Sequence, residues 1–253
     1  MKPFAADNVA IITGASSGIG RATALALAER GLRLSLLSRS ENALQSVAAQ
    51  ARELGAADVR PFICDVRNEE DVARAFAATA EAFGRIDILI NSAGLSLNGE
   101  VDGYTLADWQ TVLETNLTGT FLTCRAALPL MKQQGGGQII NISSGAGRNG
   151  IKQMAAYCAA KFGVIGFTEA LGLEVRHHNI RVSALLPGSV ATDFARVARR
   201  ENAAATDQVR DIGYSMTAEE VATAIVAMLA QPPQAWLSEV VLRPLNLDVR
   251  RTA

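Results

Sequence analysis

The chain has 253 residues, enough to bury a core without a disulfide or structural metal, and its length fits a single α/β domain. Its 24 basic and 25 acidic side chains leave a net charge of −1 with no long run of either sign, which excludes an electrostatic footprint for nucleic acid or anionic lipid. No apolar run nears the ~20 residues of a membrane span, and Met1-Lys2-Pro3-Phe4-Ala5-Ala6-Asp7 lacks the apolar stretch of a signal peptide. Cys64, Cys124 and Cys158 form no CxxC pair and sit in apolar segments, as expected of buried thiols in a cytoplasmic protein with no metal site.

Short apolar runs predict strands at Val9–Thr13, Arg33–Leu37, Val59–Cys64, Ile86–Ile90, Gln138–Ile142, Arg181–Leu186 and Val240–Leu242. Between them, apolar positions at helical spacing predict helices over Gly20–Glu29, Glu41–Glu53, Glu69–Ala82, Ala107–Met131, Ala155–Arg176 and Ala218–Leu229. This alternation specifies a seven-stranded parallel sheet covered by helices on both faces, a doubly wound Rossmann-type α/β domain over residues 1–253. Gly135-Gly136-Gly137 reads as a turn rather than a linker.

The segment 193–216 breaks the rhythm. It is polar, rich in alanine and charge, and is expected to form a substrate lid, with a pair of plain surface helices as the alternative. Arg196, Arg199 and Arg200 within it could receive a carboxylate or phosphate, although a solvated helix face explains them equally well. His177 and His178 end a helix, where a cation suits the negative terminus.

The first strand runs into Thr13-Gly14-Ala15-Ser16-Ser17-Gly18-Ile19-Gly20, followed at once by a helix. Glycines fit where backbone must pass close to a pyrophosphate and a helix N-terminus must offer free N–H groups; glycine used only for packing is the plain alternative. The spacing GxxxGxG differs from the GxGxxG of ordinary dinucleotide folds. After strand two, Ser38-Arg39 stands where an acid would hold the ribose hydroxyls of NAD. Guanidinium–phosphate pairing at Arg39 therefore points to NADP(H) over NAD(H), unless Arg39 is merely solvated.

Tyr157 and Lys161 stand at i, i+4 on one helical face. A tyrosine of pKa ~10 is a poor base at neutral pH, and a neighbouring ammonium can bring the phenol down. Ser144, at the end of the fifth strand, could hold a substrate carbonyl, and its neighbour Ser143 points to the other side.

Together these residues resemble the compact branch of the short-chain dehydrogenase/reductase family along the whole chain. Its further marks are Asn91-Ser92-Ala93-Gly94, Asn116, Asp65 and Pro187-Gly188-Ser189-Val190-Ala191-Thr192. The resemblance implies an oxidoreductase that moves a hydride between nicotinamide and a carbonyl or alcohol. Tyr157 would be the proton donor or acceptor, Lys161 would lower its pKa and hold the ribose, and Ser144 would orient the carbonyl. Asn116 would sustain a water-linked proton path, Asp65 would meet the adenine, and Val190 and Thr192 would touch the carboxamide. The implied cofactor cradle comprises Gly14, Ser16, Ser17, Gly18, Ile19, Gly20, Arg39, Asp65, Val66, Asn91, Ala93, Gly94, Tyr157, Lys161, Pro187, Gly188, Val190 and Thr192. The partner is a small-molecule carbonyl or alcohol, and family habit implies a homodimer or homotetramer.

Two departures qualify the resemblance. Ser92 replaces the second asparagine of NNAG, and Glu239–Leu245 replaces the VDGG ending typical of bacterial 3-oxoacyl carrier-protein reductases. That last activity, a catalytically silent dinucleotide sensor or scaffold, and an epimerase or dehydratase are the alternatives.

Overall fold

A computed structural model describes residues 7–192, 194 and 215–245. Seven parallel strands lie in the order β3-β2-β1-β4-β5-β6-β7, with β1 Val9–Thr13, β2 Arg33–Ser38, β3 Asp58–Ile63, β4 Ile88–Asn91, β5 Gly137–Ile142, β6 Ile180–Pro187 and β7 Glu239–Leu242. The helices are α1 Gly18–Ala28, α2 Glu41–Glu53, α3 Glu69–Phe83, α4 Leu106–Leu113, α5 Gly119–Gln133, α6 Ala155–Val175 and α7 Ala218–Leu229.

Side chains alternate across the central strands, so each strand feeds two cores. Ala10 and Ile12 of β1, with Ile88 and Ile90 of β4, pack among residues of α1, α2 and α7. Ile11 and Leu89 face the opposite layer with Phe76 of α3, Ala127 of α5 and Leu171 of α6. Burial on both faces explains the near-continuous apolar runs of these strands. Pro61 is confined to edge strand β3, where a missing N–H costs least.

The expected elements form, with several ends moved by one or two residues and three differences that bear on the site or its turns. β4 starts at Ile88 rather than Ile86, because Asp87 turns its carboxylate onto the Val9 amide (2.8 Å) and pairs with Arg85. The helix expected at Ala107–Met131 contains a π turn over Glu114–Thr118 between α4 and α5. Gly137 already belongs to β5, leaving Gly135, at φ 79°, to make the turn. The lid expected at 193–216 lies outside the described residues except for Phe194, Ser215 and Met216. A bridge between Val190 and Met216, and a 2.7 Å contact between the Ser189 and Ser215 hydroxyls, hold the two flanks of that segment together.

Candidate functional site

The strand order reverses between β1 and β4, and the loops leaving their carboxyl ends border a crevice, the usual ligand position of such sheets. Thr13 ties these loops, its Oγ1 accepting from the amides of Ser92 (3.1 Å) and Ala93 (3.0 Å). Gly14 adopts φ 64°, and a Cβ there would stand 2.8 Å from the Ala93 Cα. A Cβ on Gly20 would stand 2.3 Å from the Gly14 carbonyl oxygen, so this turn admits no side chain at either position. The cap residue of α1, Ser17, is extended and makes no side-chain cap bond, and the first turn carries no acid. Such a helix start is suited to an anion.

At the outer lip, the Ser38 hydroxyl donates to Ser16 Oγ (2.7 Å), while Arg39 is exposed. Asp65 follows β3 and is gripped by Arg67. Thr192 lies over the glycine turn, its Cγ2 3.5 Å from where a Cβ of Gly18 would be. Gly188 donates its amide to Leu242 (2.8 Å), fixing the segment after β6 against β7. Val66 packs against Gly119 of α5, and Ile19 packs on the core shared by α1, α2 and α7.

Asn91, expected in the cradle, could meet a cofactor only through its backbone. Its side chain is buried below the crevice, where Nδ2 donates to Asn141 Oδ1 (2.9 Å) and Oδ1 accepts from Thr123 (2.7 Å). Asn141 in turn donates to Thr168 (2.9 Å), so Asn91 ties β4 to β5, α5 and α6 and has no side-chain atom to offer a ligand. The network is readable in outline, since Asn141 is an isolated amide within an apolar strand.

Tyr157 and Lys161 do share one face of α6, with Lys161 Nζ 5.5 Å from the phenol ring centroid. Nζ donates to the Ile142 carbonyl (2.8 Å), and Ser143 donates to the Lys161 carbonyl (2.9 Å), locking α6 to the end of β5. Ser144 is extended, accepts from the Ala146 amide (3.1 Å), and hydrogen-bonds the Tyr157 phenol. Ser143 and Ser144 thus serve opposite sides, as alternation requires. Phe194 covers the Tyr157 ring at a centroid distance of 5.4 Å.

Burial governs both titrating groups. It pushes the Tyr157 phenol up to about 12, against a smaller downward pull from the Ser144 hydrogen bond. It brings the Lys161 ammonium down to about 7. Desolvation thus acts on the two groups in opposite senses, raising the phenol and lowering the amine.

Asn116 sits in the π turn and is fully buried. Its Nδ2 donates to Leu95 (2.7 Å) and Val112 (2.8 Å), leaving Oδ1 buried without a partner among the described residues. A Cβ on Gly94 would stand 2.7 Å from this oxygen and 3.6 Å from Lys161 Nζ, so Gly94, Asn116 and Lys161 converge. An unpaired buried acceptor beside an amine is a site for a bridging water.

An apolar cavity of about 330 Å³ lies between Val101, Tyr104, Leu106, Trp109 and Ala155–Ala156. At about 3.6 residues per turn, Ala155 lies on the far side of α6 from Tyr157, so this cavity flanks the site rather than containing it.

Sheet order, glycine turn and switch-point crevice define a doubly wound protein of the dinucleotide-binding class. The profile described as short chain dehydrogenase matches residues 8–203. A human 3-oxoacyl-[acyl-carrier-protein] reductase is 37% identical over 89% of this chain and 92% of that protein. The D-threitol dehydrogenase of Mycolicibacterium smegmatis is 41% identical over 75% and 73% respectively. The crystal structure of a single-site variant of actinorhodin polyketide ketoreductase with NADPH superposes with a TM-score of 0.85 at 34% identity, covering 95% of this chain and 97% of that one. The chain belongs to the short-chain dehydrogenase family and is an oxidoreductase of the CH–OH/C=O type.

Proposed function

We propose that the protein is an NADP(H)-dependent reductase or dehydrogenase of a small carbonyl/alcohol pair, with Tyr157 as general acid or base. The observation that carries this reading is the convergence, at the carboxyl edge of the sheet, of the Tyr157 phenol, the Ser144 hydroxyl, Lys161 and the Asn116 oxygen, which has no partner among the described residues. The glycine turn and the start of α1 fit a pyrophosphate, and Arg39 fits a 2′-phosphate. When bound, the dinucleotide would supply or accept the hydride.

The chain's own residues handle position and protons. Ser144 holds the substrate oxygen against the phenol, and Tyr157 gives that oxygen a proton in reduction or removes it in oxidation. Lys161, fixed by the Ile142 carbonyl, returns the proton, with Asn116 Oδ1 holding the water that refills the amine. Asp65, Val66, the Ala93–Gly94 backbone and the Pro187–Thr192 segment complete the cradle. The test is a panel of ketones followed by absorbance loss at the nicotinamide band. NADPH is expected to outperform NADH by at least about tenfold, the size of one guanidinium–phosphate contact. Binding without turnover on any carbonyl would favour the silent sensor.

The free thiols of Cys64, Cys124 and Cys158 fit a reducing, cytoplasmic setting. No described helix is long and apolar enough to cross a membrane.

A homo-oligomer is proposed on a separate observation. Phe121 of α5 and Phe162 and Leu173 of α6 are 41%, 49% and 55% exposed on the outer helix layer. Large apolar side chains so placed suit a second copy of the chain. Light scattering is expected to give two or four chain masses for the wild type and fewer for Phe162→Glu; a wild-type monomer would overturn this.

A further inference from the structure

Asp65 brings a negative charge to the end of the crevice where the 2′-phosphate is placed. The strand ends holding Arg39 and Asp65 are hydrogen-bonded neighbours, the Cys64 amide donating to the Ser38 carbonyl at 3.0 Å. Arg39 is exposed and enters no ion pair among the described residues. Its guanidinium is near enough to help hold the Asp65 carboxyl below the ordinary carboxylate range, behind the larger effect of Arg67. An ionised carboxylate here would both repel a phosphate and compete for Arg39.

Arg67 answers both effects. Its Nε lies 3.0 and 3.1 Å from the two carboxylate oxygens of Asp65, its Nη2 lies 2.6 Å from Oδ2, and its own amide donates to Oδ1 at 3.0 Å. Every one of these contacts joins residues only two apart in the chain, so both oxygens are engaged without drawing on Arg39. On the far side, the Asp65 amide donates to Asp71 Oδ2 (3.1 Å), and Asn68 caps α3 immediately afterward, which fixes the loop's path.

We propose that Arg67 is a positioning residue for cofactor choice: it clamps and neutralises Asp65, leaving the Arg39 guanidinium available to the 2′-phosphate of NADP(H). The inference rests on the NADP(H) reading above. Nothing in the sequence singles out Arg67, since an Asp-x-Arg spacing on a loop is ordinary surface chemistry until the bidentate geometry is seen.

The experiment measures binding rather than turnover, by nicotinamide fluorescence with NADPH and NADH and by calorimetry with adenosine 2′,5′-bisphosphate and AMP. Arg67→Gln is expected to lower the preference for the phosphorylated member of each pair on the order of tenfold, the scale of one partly screened charge contact. Asp65→Asn/Arg67→Gln is expected to restore it, because the competing carboxylate is gone. Asp65→Asn alone keeps or raises the preference. Unchanged preference in Arg67→Gln, no recovery in the double variant, or a reduced preference in Asp65→Asn would each overturn the inference while leaving the NADP(H) reading intact. If instead wild type and Arg39→Ala bind the paired ligands alike, the NADP(H) reading itself falls, and this inference with it.

Discussion

Tyr157→Phe is expected to cut turnover by about 10²–10⁴, the usual span of general acid–base catalysis, while dinucleotide affinity stays nearly unchanged. The substitution removes one hydroxyl and little else. The ring keeps its packing against Phe194 and its place in the apolar cluster with Val112, Ala146 and Ala160. The lost hydrogen bond to Ser144 is worth about 1 kcal/mol, too little to threaten the fold. Single-turnover absorbance would report the chemical step and fluorescence titration the binding. Near wild-type turnover would remove Tyr157 from the mechanism.

Lys161→Met is expected to change the pH dependence of stability as well as lowering turnover by about 10². In the folded protein burial brings Lys161 down to about 7, against an ordinary value of 10.5. Between these values the unfolded chain binds more protons than the folded one, so stability rises with pH, by up to about 1.4 kcal/mol per unit. The contribution is clearest from pH 7 to 9. Above 9 the buried thiols of Cys64 and Cys124, pushed up to about 12, act in the opposite sense, because the unfolded chain releases their protons first. Urea unfolding at pH 7, 8 and 9 should show the rise in wild type and a flatter profile in the variant. An equal rise in both proteins would show that Lys161 is not the group being charged. Methionine fills the same channel without a charge, so the variant is also expected to be the more stable protein at pH 6, less about 1 kcal/mol for the donor lost by Ile142.

The arginine at residue 67 and the amide at residue 91 illustrate what the primary structure does not disclose. Asn91 belongs to a motif at the crevice, and the motif alone does not say where its side chain goes. Only the meeting of β4, β5, α5 and α6 turns it inward, toward Asn141 and Thr123. The π turn is similarly hidden: Glu114–Thr118 continues the apolar spacing of the flanking helices, and what distinguishes it is that Asn116 finds carbonyl partners at Leu95 and Val112.

What the amino-acid order determined by itself was everything set over short distances along the chain. That includes the strand and helix alternation, the glycine turn that tolerates no Cβ, and the placement of Tyr157 and Lys161 one helical turn apart. Tertiary structure alone decided the environment of these groups. The i, i+4 spacing brings an amine to a phenol, but packing of α6 on the end of β5 desolvates both and drives their pKa values in opposite directions, away from the simple pairing that spacing suggests. Spacing is fixed by bonds within one helix, whereas burial depends on residues brought together from across the chain.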